Sequence, residues 1–175
     1  MATVKIVIIG PESTGKTTLT QQLATHFNMP FVPEYARIYL EQKANPGYEL
    51  SDLEAIAKTQ IALTEGELTK APKLLFCDTD LVTLHIWALD KFDRPIPFVE
   101  SALSVQKANL YLLCKPDIAW QPDPLREDAT RREELFEWNA WVLKSINAQY
   151  HTIEGAGNAR FQQALQVVND FLTKN

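Results

Sequence analysis

The stretch VKIVIIGPESTGKTT, residues 4–18, restricts the fold of this chain more than any other. Val4 to Ile9 is a β-branched apolar run with the character of a buried strand. It feeds Gly10, Gly15, Lys16 and Thr17, which complete GxxxxGK[ST], with Thr18 behind them. Two glycines let the backbone curl round an anion, so that successive N–H groups point at phosphate oxygens. The Lys16 ammonium reaches the β- and γ-phosphates, and the Thr17 hydroxyl suits Mg²⁺. The next residues, TLTQQLATHF, suit a helix whose N-terminus adds partial positive charge at the same point. The predicted ATP contacts are therefore Gly10, Glu12, Ser13, Thr14, Gly15, Lys16, Thr17 and Thr18, with Mg²⁺ as the accompanying ion. A surface glycine-rich turn would explain neither Lys16–Thr17 nor the flanking strand and helix.

A chain of 175 residues with 46% hydrophobic content predicts one domain, residues 1–175, with a sizeable core. The formal net charge of -5 argues against a nucleic-acid-binding surface. No apolar run approaches the ~18 residues of a membrane span, and the N-terminus lacks a signal-peptide pattern. Cys77 and Cys114 lie in apolar strand-like runs and read as buried thiols in a reducing compartment. His26, His85 and His151 show no ligand spacing. The expectation is a cytoplasmic protein that acts on a small molecule.

Strand patterns at Lys5–Ile9, Phe31–Val32, Lys73–Cys77, Asn109–Cys114 and Tyr150–Ile153 alternate with helical patterns near 16–27, 51–69, 79–91, 99–107, 132–148 and 158–173. This alternation predicts an α/β fold, a five-stranded parallel sheet covered by helices on both faces. Ser51 with Glu54 reads as a capping box, and Trp138 and Trp141 read as core. Residues 115–132, rich in proline and then in both charges, read as a functional loop or lid.

Ligands of such sheets sit beyond the carboxyl ends of the strands, so the residues there carry the chemistry. After the second strand, Glu34 and Arg37 share a face of any helix starting there. A carboxylate at this point orients an attacking hydroxyl and takes its proton late; the alternative is an ordinary helix-start acid paired with Arg37. The third strand ends in Asp78-Thr79-Asp80. Asp78 is placed to hold Mg²⁺ with Thr17, while Asp80 either meets sugar hydroxyls or caps the next helix. Trp87 either stacks on a planar ring or packs in the core. Arg126 is the lid arginine best placed to neutralise charge on the transferred group, ahead of Arg131 and Arg132, which sit among acids. Trp120 and Asp123 precede it, within reach of the acceptor. Arg160, after the fifth strand, either lies flat against adenine or belongs to a plain strand-to-helix turn. Lys16, Glu34, Asp78 and Arg126 form the predicted catalytic group.

In this order, GPESTGKTTL, PFVPEYAR, LLFCDTDLVT, LYLLCKPDIAWQPDPLR and IEGAGNAR resemble the nicotinamide riboside (ribosylnicotinamide) kinase domain of bacterial NadR proteins and its free-standing relatives. The resemblance covers nearly the whole chain. It implies a P-loop kinase fold and transfer of the ATP γ-phosphoryl group to the 5′-hydroxyl of nicotinamide riboside. It also implies Glu34 and Asp78 at acceptor and Mg²⁺ positions, with Tyr35, Trp87 and Trp120 as stacking candidates for the nicotinamide ring. The chain begins at the phosphate loop, without the HxGH motif of an adenylyltransferase or a helix-turn-helix, so synthesis of NAD and repression are not expected of it. A kinase for another nucleoside or nucleoside monophosphate is the nearest alternative, with Arg37 as the start of an arginine clamp. A regulatory P-loop ATPase is the alternative from a different class.

Overall fold

Period-two alternation sorts the strand residues onto two faces, and a separate core forms on each. The structure is a computed structural model that describes residues 2–43 and 47–174. Its strands are β1 (Val4–Ile9), β2 (Phe31–Val32), β3 (Leu74–Asp78), β4 (Leu110–Cys114) and β5 (Tyr150–Ile153). They form one parallel sheet of five strands, as the strand patterns predict, and its order is β2-β3-β1-β4-β5. In β1, Ile6 and Ile8 turn to one face, where they pack with Phe76, Leu112, α1 (Lys16–Phe27) and α7 (Gly157–Lys174). Val7 and Ile9 turn to the other. There they meet Leu75, Leu113, α3 (Leu50–Leu68), α4 (Leu81–Phe92), α5 (Pro97–Ala102) and α6 (Arg132–Ser145). All five residues of β3 and of β4 are buried, as expected of interior parallel strands. Cys77 and Cys114 are buried and free, in line with their apolar runs.

Three local expectations change. The start of α3 is held by Asp52, whose side chain accepts the Glu49 backbone N–H at 2.7 Å, so the capping pair is Glu49 and Asp52 rather than Ser51 and Glu54. The helix expected over 99–107 is the shorter α5, opened by Pro97 in its first turn, where a missing N–H costs nothing. Trp141 is 60% exposed, because the buried stripe of α6 runs through Leu135, Phe136, Asn139, Ala140, Val142 and Leu143 and leaves it on the outer side. A further short helix, α2 (Tyr35–Gln42), follows β2.

Asp52 also accepts the Tyr39 hydroxyl at 2.7 Å and the Lys43 ammonium at 2.5 Å, which ties α2 to α3. The Lys43 hydrogen bond, then those of the Glu49 backbone and Tyr39, lower the Asp52 carboxyl to about 2. A depressed carboxyl pKa adds stability that is complete above the unfolded-state value and lost as pH falls towards the folded one. The expected result is that Asp52→Asn costs about 1–3 kcal/mol near neutral pH. That difference from wild type should shrink between about pH 4 and about pH 2, read by urea denaturation at each pH.

Gly10 is dictated by both space and backbone. Its φ is 139°, and a Cβ there would stand 2.6 Å from the Cys114 carbonyl oxygen. The loop therefore leaves β1 pressed against the end of β4. Gly10→Ala is expected to destabilise the fold by about 1–3 kcal/mol through strain alone, measurable as a lower urea midpoint.

Candidate active site

The phosphate loop closes on itself through short polar contacts. The Thr14 hydroxyl donates to the Pro11 carbonyl at 2.8 Å, and the Lys16 ammonium donates to the same carbonyl at 2.7 Å. Ser13 and Gly15 both take left-handed backbone angles, with φ of 54° and 77°. These bends direct the loop round the N-terminus of α1, beyond the carboxyl ends of the strands. A cavity of about 420 Å³ opens there, lined by Gly10 through Thr18, by Glu34, Ala36 and Arg37, by α4, and by parts of the 118–139 region.

Beside the loop, behind the residues that line the cavity, Asp78 ends β3 and is 1% exposed. Its Oδ2 accepts the Thr17 hydroxyl at 2.5 Å, while its Oδ1 is buried without a hydrogen-bond partner among the described residues. Burial raises the Asp78 carboxyl above its usual range, against the lowering effect of Thr17 and Lys16. Glu34, at the start of α2, lines the cavity itself. Burial raises its carboxyl too; Lys16 opposes this and Asp78 reinforces it, so the three groups act on one another.

Gln60 is what fixes Glu34. It is 3% exposed on α3, accepts the Tyr35 backbone N–H at 2.9 Å through Oε1, and donates Nε2 to the Pro33 carbonyl at 3.2 Å. It thus holds the residues on both sides of Glu34. Its signal in the sequence was a polar side chain within the apolar stripe Leu53, Ile56, Ala57, Gln60, Ile61 of α3.

Residues 115–131 carry no helix or strand and are fastened from several directions. Glu12 accepts the Trp120 indole N–H at 3.2 Å and the backbone N–H groups of Glu127 and Asp128 at 3.1 and 2.8 Å. Ser13 Oγ accepts the Gln121 N–H at 2.9 Å, and Arg37 pairs with Asp123 at 3.1 Å. Lys91 on α4 meets Glu127 and Asp128 at 3.3 and 3.2 Å. Arg126 lines the cavity and donates to the Gln121 carbonyl at 2.5 Å. Arg131 joins Asp90 and Glu134, and Arg132 donates to the carbonyls of Ser13 and Ile118.

Several expected contacts fall elsewhere. Asp80 lies outside the cavity lining: it caps α4 by accepting the Val82 N–H at 2.9 Å and takes the Tyr111 hydroxyl at 2.7 Å. Thr79, with a left-handed φ of 64°, turns the chain between Asp78 and Asp80. Arg160 is 4% exposed, with its guanidinium occupied by the carbonyls of Gly155, Thr14 and Lys115 and by Asp117, so it braces the loop from behind rather than offering a flat face to adenine. Tyr35 packs beside Tyr39 against the core, and Trp120 and Asp123 bond to Glu12 and Arg37 outside the lining. Of the stacking candidates, Trp87 lines the cavity. Its indole N–H donates to the Tyr48 hydroxyl at 2.8 Å, and the rings meet edge to face at 5.0 Å. Burial and the nearby Glu127 push the Tyr48 phenol up to about 12, so it stays protonated and can donate to Glu127.

A strand, a closed phosphate loop with Lys16 and Thr17, and an acid at the end of the neighbouring strand make a P-loop nucleotide site. The profile of the AAA domain family matches residues 5–160. The chain belongs to this family. Its curated relatives include the trifunctional NAD biosynthesis/regulator proteins NadR of Salmonella typhimurium and Escherichia coli. Each is 27% identical over 173 residues, covering 95% of this chain and 42% of the relative. The chain therefore spans less than half the length of those proteins. Among solved structures, a NadR protein in complex with NR matches 97% of this chain and 49% of its own, with 23% identity and a TM-score of 0.80. A NadR protein with NAD and AMP-PNP matches with 21% identity, the same coverage and a TM-score of 0.78. Thymidylate kinase from Ehrlichia chaffeensis superposes over 96% of this chain and all of its own, at 14% identity and a TM-score of 0.66. The match to a NadR-type kinase domain expected from PEYAR and the flanking motifs is thus found, on a P-loop kinase fold. Among the described residues, no helix of this family member is long and apolar enough to cross a membrane.

Proposed function

We propose that this protein is an ATP-dependent kinase that transfers the γ-phosphoryl group to the 5′-hydroxyl of nicotinamide riboside, giving nicotinamide mononucleotide. The observation that carries this reading is Glu34 on the cavity wall, its backbone held on both sides by Gln60 and its carboxylate electrostatically coupled to Lys16 of the phosphate loop. A carboxylate there accepts a hydrogen bond from an acceptor hydroxyl, aims its oxygen and takes its proton as the new O–P bond completes. Lys16, released from the Pro11 carbonyl, turns its ammonium to the phosphates, and Arg126 adds positive charge from the other side of the cavity.

The unpartnered Asp78 Oδ1 beside the Thr17 hydroxyl fits a divalent cation. Mg²⁺ would be held by Thr17 and Asp78 and would neutralise phosphate charge. Among the described residues no group of three or more His, Cys, Asp or Glu side chains is disposed to hold a metal, as suits an ion whose remaining ligands are phosphate oxygens and water.

The choice of nicotinamide riboside rests on the NadR relatives, one of which was crystallised with NR, and on Trp87 as a fixed aromatic wall. A nucleoside monophosphate acceptor would need a cationic clamp. Arg37 is instead paired with Asp123 and Glu41, and Lys91 with Asp90, Glu127 and Asp128. The deciding experiment incubates the protein with Mg·ATP and nicotinamide riboside, the common nucleosides or their monophosphates, and reads product masses. Nicotinamide mononucleotide is the expected product. A nucleoside monophosphate converted to its diphosphate, with the riboside untouched, would replace this reading, and ADP release without any phosphorylated acceptor would indicate an ATPase.

A further inference from the structure

Two residues of the cavity lining, on helices packed against each other, each carry a buried polar atom without a partner among the described residues. Thr83 on α4 and Asn139 on α6 both line the cavity. Thr83 Oγ1 and Asn139 Oδ1 are shielded from solvent and take no hydrogen bond among the described residues. Asn139 is 4% exposed. Its orientation follows from chemistry: Nδ2 donates to the Leu135 carbonyl at 2.7 Å, and a flipped amide would set two oxygens against each other. Asn139 therefore presents an acceptor and Thr83 a hydroxyl that can donate. Leaving such atoms unsatisfied is costly, and at a cavity wall the natural partner is a ligand.

The surroundings define that ligand. Ile86 and Trp87 stand one turn beyond Thr83 on α4, and Leu135 one turn before Asn139 on α6; all line the same cavity, so apolar and aromatic side chains neighbour the two polar ones. This combination suits a flat ring that carries one group with both a donor and an acceptor. Building on the nicotinamide riboside reading, we propose that Thr83 and Asn139 read the carboxamide of the acceptor: its N–H₂ donates to Asn139 Oδ1, and its carbonyl accepts from the Thr83 hydroxyl. A carboxylate in the same place has no proton to give and sets its negative charge against Asn139 Oδ1, so the acid analogue is rejected.

The test compares kcat/KM for nicotinamide riboside and nicotinic acid riboside in wild type, Thr83→Val, Asn139→Leu and Thr83→Ser, with KM for ATP and the melting temperature measured alongside. Wild type is expected to favour the amide at least about tenfold. Thr83→Val and Asn139→Leu should each lower that ratio by about tenfold with KM for ATP unchanged, and Thr83→Ser should keep it. A merely structural role would lower both substrates together and leave their ratio intact. If wild type uses both ribosides equally, or if both near-isosteric variants keep the wild-type ratio, the pairing is wrong while the kinase reading stands. If wild type phosphorylates neither riboside, the kinase reading itself fails and the pairing with it.

Discussion

Lys16→Ala is expected to lower kcat/KM for phosphoryl transfer by at least about 10²–10³-fold. The reason is electrostatic: the Lys16 ammonium is the positive side chain of the loop, held 2.7 Å from the Pro11 carbonyl, an oxygen that a phosphate oxygen can replace. The loop should survive the change, because the Thr14 hydroxyl holds the same carbonyl at 2.8 Å and Arg132 and Arg160 grip the carbonyls of Ser13 and Thr14. Steady-state kinetics and a melting curve together check this. A variant that melts like wild type and turns over within about tenfold of it would remove Lys16 from the catalytic group.

Glu34→Gln is expected to lower kcat by about 10²–10⁴-fold with little change in KM for ATP, since in the proposed reaction the lost group acts on the acceptor hydroxyl rather than on the donor. Its pH signature follows from burial, which raises the Glu34 carboxyl. The ionised form is the active one, so activity is full above that raised pKa and falls as pH drops through it. The acidic limb of the kcat/KM profile should therefore lie above the ordinary carboxylate range in wild type and become less steep in what activity remains in Glu34→Gln, where Asp78 is the raised carboxyl left in the site. Stability should move the other way. A carboxyl whose pKa is raised on folding opposes folding at neutral pH, so the neutral amide should raise the melting temperature. A Glu34→Gln enzyme as active as wild type would assign the proton to another group.

Much of the frame was legible in the chain. Strands read from apolar runs lie where the sheet has them, because buried parallel strands need near-continuous apolar residues and leave a clear pattern. Helix ends were less legible. The Glu49–Asp52 cap and the Pro97 start depend on which of several adjacent polar or turn-forming residues the packing selects.

The phosphate loop was determined by sequence alone, because its function resides in consecutive backbone N–H groups and in residues at fixed spacing. Gly10, Lys16, Thr17 and the strand-end Asp78 needed no tertiary information to be nominated. The proposed acceptor side depends on the tertiary structure, because its contacts join residues far apart in the chain. Gln60 holds the turn round Glu34 from another helix, Arg160 turns inward to the loop carbonyls, and Thr79 directs Asp80 to Tyr111 instead of the cavity. Thr83 and Asn139, distant in the sequence, meet the same cavity through the packing of α4 on α6. Local spacing encodes a site whose groups are neighbours along the backbone; a site assembled across helices exists only once the core has brought those helices together.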